Sequence, residues 1–314
     1  MDGFLEKGVQ TGWWGSQNEL LCAQIWWCGT SRFLITSVIG TCFWVALFAF
    51  FALVLYPLVE KQLDRIPSKV DGESGGGWFA LHLQSTIHAT LIVCITLGTT
   101  RALANSSIEA KYMAPQPQTP GDVSTVAHGA VIGNAAHVFL CYTLADTVTG
   151  LFRKSLTMDM VIHHLVFFMF CSIIMFDGNS PYLAGCLLQM ELSTIFLNFF
   201  LFFRNRLGYE HPFVQLHFLL FYFAFIGARL VLGCHIVHDY GKAVYYGPAH
   251  LFAGIARWHQ DVLFVGLLLA VSLQVVWGFK ITRTFLKSLM SILALTWARL
   301  TSGGASESFT SKEE

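Results

Sequence analysis

Histidines and carboxylates recur inside the most apolar stretches of this chain, where ionisable groups are costly and tend to face a bundle interior or a wet cavity. His82 and His88 lie in one stretch and His137 and Asp146 in the next. The adjacent pair His163-His164 opens a third, Glu191 lies in a fourth, and His217, Arg229 and His235 share a fifth. Imidazoles beside carboxylates suit general acid–base work on a hydroxyl or an amine. Neighbouring residues on a helix point about 100° apart, so His163 and His164 cannot both face one partner directly. One would act as base while the other orients it or binds a charged headgroup. Asp146, one short loop earlier, is placed to fix a histidine tautomer. The same groups would equally serve as hydrogen bonds between helices.

Glu191, Thr194 and Asn198 fall at i, i+3 and i+7, a polar stripe on one helix face. The stripe reads either as a cavity wall, with Glu191 as acid, base or headgroup contact, or as interhelical glue. Arg229 would pair with a carboxylate or a lipid phosphate. His235-x-x-His238-Asp239 has the i, i+3 spacing of a shared metal. It lies at the far end of the bundle from His163 and His164, and the several His-rich boxes of a di-iron lipid enzyme are absent, so no metal is expected.

These residues need helices to hold them. Of 314 residues, 54% are hydrophobic and only 12% charged, about half the charged share of a soluble domain. The net charge is zero, which leaves no electrostatic case for nucleic acid. Seven apolar runs approach the roughly 20 residues needed to cross a bilayer. They are 33–58, 80–103, 130–152, 159–177, 181–203, 213–236 and 260–283. The fourth is short and separated from the fifth only by Asp177-Gly-Asn-Ser-Pro181, so the two form a tight hairpin or one of them is re-entrant. Gly75-Gly-Gly77 reads as part of a linker over 59–79, and a second long connection, 104–128, carries prolines 115, 117 and 120.

Lysines and arginines fall roughly two to one on one side of seven such spans, which puts the C-terminus in the cytosol and the N-terminus in a lumen or outside. The sequon at Asn105 falls on the lumenal side, where glycosylation is possible. Helical rise then places His88 roughly 12 Å and Asp146 roughly 9 Å from the cytosolic boundary, with His163, His164 and His217 at roughly 6–8 Å and Glu191 near mid-membrane. A cluster in the cytosolic half would meet a soluble cosubstrate from one side and a lipid from the other. Residues 284–300 read as a helix lying in the cytosolic interface. Six cysteines lie in apolar runs as small hydrophobes, whereas Cys22 and Cys28 are free to pair. The N-terminal tryptophan pairs at 13–14 and 26–27 do not fit a signal peptide.

Taken in order, Ser85-Thr-Ile-His88-Ala, Tyr142-Thr-Leu-Ala-Asp146, the basic step Arg153-Lys154, Asp159-Met-Val-Ile-His163-His164 and Leu187-Leu-Gln-Met-Glu191-Leu-Ser193-Thr194 resemble the TLC domain. That family includes translocating-chain-associating membrane proteins, longevity-assurance ceramide synthases and a neuronal ceroid lipofuscinosis protein. The resemblance covers about residues 80–283, preceded by a 1–32 segment and a first helix with its loop over 33–79, and followed by 284–314. It implies an all-α polytopic bundle around a lipid-accessible cavity, residence in the endoplasmic reticulum or another endomembrane, and membrane lipids as partners. Self-association or contact with other membrane proteins stays open.

In ceramide synthases the paired histidine is essential and a His-Asp-x-x-Ser-Asp-like stretch follows. Here Met190-Glu191-Leu192-Ser193-Thr194 keeps one carboxylate and the serine but lacks the histidine and second aspartate. The chain is therefore more similar to the smaller TLC proteins linked to phospholipid or sphingolipid balance. The resemblance implies transfer of an acyl chain from acyl-CoA, a cosubstrate rather than a bound cofactor, to a lysophospholipid or long-chain amine. His163 or His164 would be the base and Asp146 its orienting group, with His88, Glu191, Ser193, Asn198, His217 and Arg229 lining the site. The alternative is a non-catalytic lipid sensor, chaperone or cargo receptor using the same cavity.

Overall fold

Apolar runs of this length leave the backbone no hydrogen-bond partner but itself in lipid, so they fold as helices. The computed structural model describes residues 30–60, 69–70, 73–113, 124–177, 180–252 and 255–301. Cys22, Cys28, the tryptophan pairs and the three prolines of the long connection lie outside the described residues. The fold is all-α apart from a short antiparallel pairing of Lys69–Val70 with Glu73–Ser74. Among the described residues, seven helical segments are long and apolar enough to cross a membrane: Ser31–Val59, Gly75–Ala104, Ala127–Arg153, Met158–Met175, Pro181–Arg204, Pro212–Tyr246 and Arg257–Met290.

The helices are α1 (Thr30–Phe50), α2 (Tyr56–Val59), α3 (Gly75–Ala104), α4 (Ile108–Tyr112), α5 (Ser124–Arg153) and α6 (Met158–Asp177). They continue as α7 (Pro181–Gln189), α8 (Leu192–Leu207), α9 (Pro212–Ala224), α10 (Leu232–Tyr246) and α11 (Arg257–Thr301). Threonines within them return their hydroxyls to the preceding turn: Thr96 donates to Ile92 O at 2.7 Å and Thr143 to Phe139 O at 2.9 Å. Helix α3 is the hub, touching α1, α5, α7 and α8. Its contact with α7 is close enough that a Cβ on Gly185 would meet Thr100 Oγ1 at 2.5 Å. The largest buried cluster joins Leu103, Tyr112, Leu183, Ile236, Tyr240 and Leu251, near the end where α3 finishes and α4 lies.

Several boundaries differ from the sequence reading. Gly75-Gly-Gly77 is no linker but the first turn of α3, and a Cβ on Gly76 would meet Ala52 O at 2.9 Å. The glycines serve close packing on the first span. The fourth span completes a full helix to Asp177, and Ser180, buried and left-handed with φ 57°, turns the chain into Pro181 at the start of α7. Both segments are long and apolar enough to cross a membrane.

The fifth span is broken at Met190–Glu191, where both amides bond three residues back, to Leu187 O and Leu188 O. The sixth is interrupted by a π-helical segment, Phe225–Val231, and runs on to Tyr246. Residues 284–300 are not a separate element; α11 is continuous to Thr301. No glycine or proline interrupts that stretch, and it is held by Phe285 stacked on Tyr222 at 4.2 Å and by Ser288 Oγ at 2.5 Å from the Tyr209 hydroxyl.

Candidate functional site

Three departures from regular packing meet at one place. Helix α6 begins beside the end of α5, the fifth span breaks at Glu191, and the sixth unwinds into its π segment. Between them lies a cavity of about 470 Å³. Every one of the last six spans contributes to its lining, from Ser85 on α3 to Trp277 and Lys280 on α11. One part of the wall is aromatic, with Phe139, Phe167, Phe221 and Phe225; the remainder carries the polar groups.

The paired histidines take different roles in this wall. His164 is held at both ring nitrogens: Nε2 lies 3.3 Å from Asp146 Oδ2, and Nδ1 lies 2.9 Å from Thr147 Oγ1. The Thr147 hydroxyl is also 2.7 Å from Thr143 O, to which it donates. With that proton committed, Thr147 can only accept from His164 Nδ1, while Nε2 faces the Asp146 carboxyl. Neither nitrogen is left for a ligand. His163 also lines the cavity, packed against the rings of Phe167 at 4.6 Å and Trp277 at 5.8 Å. Its imidazole has no hydrogen-bond partner among the described residues.

Across the cavity, Arg229 projects from the π segment. Its Nε donates to Ser193 Oγ at 2.6 Å, its Nη2 to Thr194 Oγ1 at 2.9 Å, and Nη2 lies 3.7 Å from Glu191 Oε1. The Ser193 hydroxyl itself donates to Met190 O at 3.1 Å, so one network stitches the break in the fifth span to the irregular turn of the sixth. Arg229 and Glu191 are both buried, and each neutralises the other in a setting where a lone charge would be expensive.

The structure thus brings together His163, His164, Asp146, Glu191, Ser193, Thr194 and Arg229. It does not bring His88, Asn198 or His217 to the cavity lining. His88 is fully buried and stacks on Tyr142 at 3.8 Å, with neither nitrogen partnered among the described residues. Asn198 Oδ1 lies 3.1 Å from His82 Nδ1. His217 turns back on its own helix, Nδ1 2.8 Å from Phe213 O. Asn105 is exposed at the end of α3. His235 and His238 both lean on Asp239, at 3.2 Å each, and no group of three or more metal-type ligands occurs among the described residues.

Sequence reasoning missed Ser85, Thr147, Trp277 and Lys280. Thr147 follows Asp146 directly, Ser85 opens the motif that reaches His88, and Lys280 is an ionisable group inside the run 260–283; Trp277 alone carries no signal beyond its position in an apolar run. A family model described as the TLC domain matches residues 78–283, well over half of the chain. No curated protein and no solved structure matches it.

Proposed function

Because this chain belongs to the TLC-domain family and is an integral, lipid-related membrane protein, we propose that its cavity transfers an acyl chain from acyl-CoA to a lysophospholipid or a long-chain amine. The observation that carries the reading is the division of labour in the histidine pair: a His163 imidazole open to the cavity beside a His164 fixed by Asp146 and Thr147. His163 takes the proton from the acceptor hydroxyl or amine as that atom attacks the thioester carbonyl. A carbon–oxygen or carbon–nitrogen bond forms and the carbon–sulfur bond breaks. The proton then passes from His163 to the departing thiolate. Charge builds on the carbonyl oxygen during attack, and the Arg229 network offers donors on the opposite wall. His164, with both nitrogens engaged, acts as a positioning residue.

The test uses purified protein with labelled acyl-CoA and a panel of lysophospholipids and sphingoid bases. His163→Ala is expected to lower turnover by about 10²- to 10⁴-fold while the protein stays folded. Substitution of Asp146 by Asn is expected to weaken turnover less, because it disturbs orientation alone. No product from any acceptor with the wild-type protein, with lipid still co-purifying, would replace the enzyme by a lipid-binding protein.

A further inference from the structure

Lys280 stands apart from the close charge contacts of the cavity lining. His164 lies against Asp146 and Arg229 against Glu191, but Lys280, also in the lining, makes no ion pair within 4.0 Å among the described residues. Asp159, at the start of α6, is bonded to the Thr157 side chain and to backbone amides of its own turn, and its carboxylate acts on Lys280 only from a distance.

Beyond Lys280 on the same helix come Arg283 and Lys287, at i+3 and i+7, so the three cations line one side of α11. All three are exposed, and neither Arg283 nor Lys287 has an acidic partner among the described residues. The neighbouring seam of α11 is committed to packing, through Trp277, Phe285 and Ser288. The row therefore runs outward from the cavity beside a rigid edge. Basic residues near helix ends are common on the cytosolic side of membrane proteins. This row differs in beginning inside a cavity lining.

We propose that Lys280, Arg283 and Lys287 form a track for the phosphates of the acyl donor, holding its nucleotide head while the thioester reaches His163. The assignment rests on the acyl-CoA reading of the cavity and adds the part of the molecule that recognises the cosubstrate. Its dimensions agree. Trp277 sits beside His163, and from there to Lys287 the helix climbs roughly 15 Å. The arm between thioester and phosphates in acyl-CoA, two amide units and a cysteamine, spans a similar roughly 15 Å when extended. Ammonium and guanidinium groups that are not held in a close ion pair suit phosphate oxygens by charge-assisted hydrogen bonds.

The experiment measures binding rather than turnover, on the full-length protein in neutral-lipid nanodiscs. The probes are CoA, pantetheine, which lacks the nucleotide and its phosphates, and lysophosphatidate. Lys280→Gln is expected to raise the Kd for CoA about tenfold, with further loss in the Lys280→Gln/Arg283→Gln/Lys287→Gln combination. Pantetheine binding should stay unchanged, added salt should weaken CoA binding to the wild type, and Lys280→Arg should restore most of it. A folded triple variant that binds CoA like the wild type overturns the proposal. So does a loss confined to lysophosphatidate, which would assign the row to a lipid headgroup. CoA carries no acyl group, so a preserved, row-dependent CoA affinity without any turnover would sink the transfer reading and leave the track standing. Turnover at unchanged acyl-CoA KM in the triple variant would do the reverse.

Discussion

Two imidazoles face Tyr142 and its surroundings from different sides, and they live in different physical worlds. His88 belongs to an aromatic seam of α1, α3 and α5, with Trp44 edge-on at 5.6 Å and Tyr142 flat against it at 3.8 Å. His163 belongs to the cavity across the Tyr142 wall, among groups held by ion pairs and hydroxyls. Both are histidines in apolar helices. The difference teaches that residue type alone does not make a site in a membrane bundle; an adjoining polar space does. On the seam side a histidine behaves as a flat ring that fills volume, and on the cavity side it lines an open space beside other polar groups.

The contrast breaks most severely at Arg229. Replacement by Met leaves Glu191 buried without its cation, which should cost about 3–5 kcal/mol of stability, read as a lowered melting temperature in detergent. Adding Glu191→Gln to that variant should recover part of the loss, because the stranded charge is gone. A single Arg229→Met variant as stable as the wild type would mean that the network does not tie the two irregular spans together.

At the seam, His88→Ala empties a packed volume and should cost about 2–4 kcal/mol. His88→Phe keeps the flat ring and removes two nitrogens that have no partner among the described residues, so it should be at least as stable as the wild type. It should also leave CoA binding untouched. A marked loss of stability in His88→Phe would show that the imidazole nitrogens matter after all, and the contrast with His163 would blur.

The smallest effect lies outside the spans, where Glu109 sits in the first turn of α4. Backbone and Ser107 hydrogen bonds, with a lesser contribution from His250 at 3.6 Å, hold its carboxyl below its ordinary value of 4.5. A depressed folded value stabilises above the ordinary value, and that contribution is lost as the pH falls through the lowered one. Wild type should therefore be slightly more thermostable than Glu109→Gln above pH 4.5, with the two converging on further acidification. Melting curves across that range read the difference, and parallel curves would remove Glu109 from the account.

The spans were legible because lipid imposes one rule on long apolar runs, and seven of them obey it. That His164 and Asp146 meet at one level of the bundle followed from helical rise, which needs only a residue number. What rise cannot supply is azimuth. Whether His88, Asn198 or His217 turns toward the cavity depends on which helix lies beside it, and none of the three contributes to the lining. The break at Met190–Glu191 and the π segment at Phe225–Val231 were equally hidden, since no proline marks either and Leu192 resumes helix at once. Lys280 was counted for its sign as one of many cytosolic cations; its place in the lining emerged only once α11 stood against α6.

The π segment also bears on which insertions and deletions the chain can absorb. A π turn is the form an α-helix takes when it accommodates an extra residue without losing its course. Excising one residue between Phe225 and Val231 would restore ordinary winding and give a smoother helix. Because the extra residue is taken up within the turn, the helix on either side would keep its facing. What would change is the turn itself, from which Arg229 reaches Ser193 and Thr194. The irregular turn is thus a place where this span could lose one residue without turning either flank, at the expense of the Arg229 network.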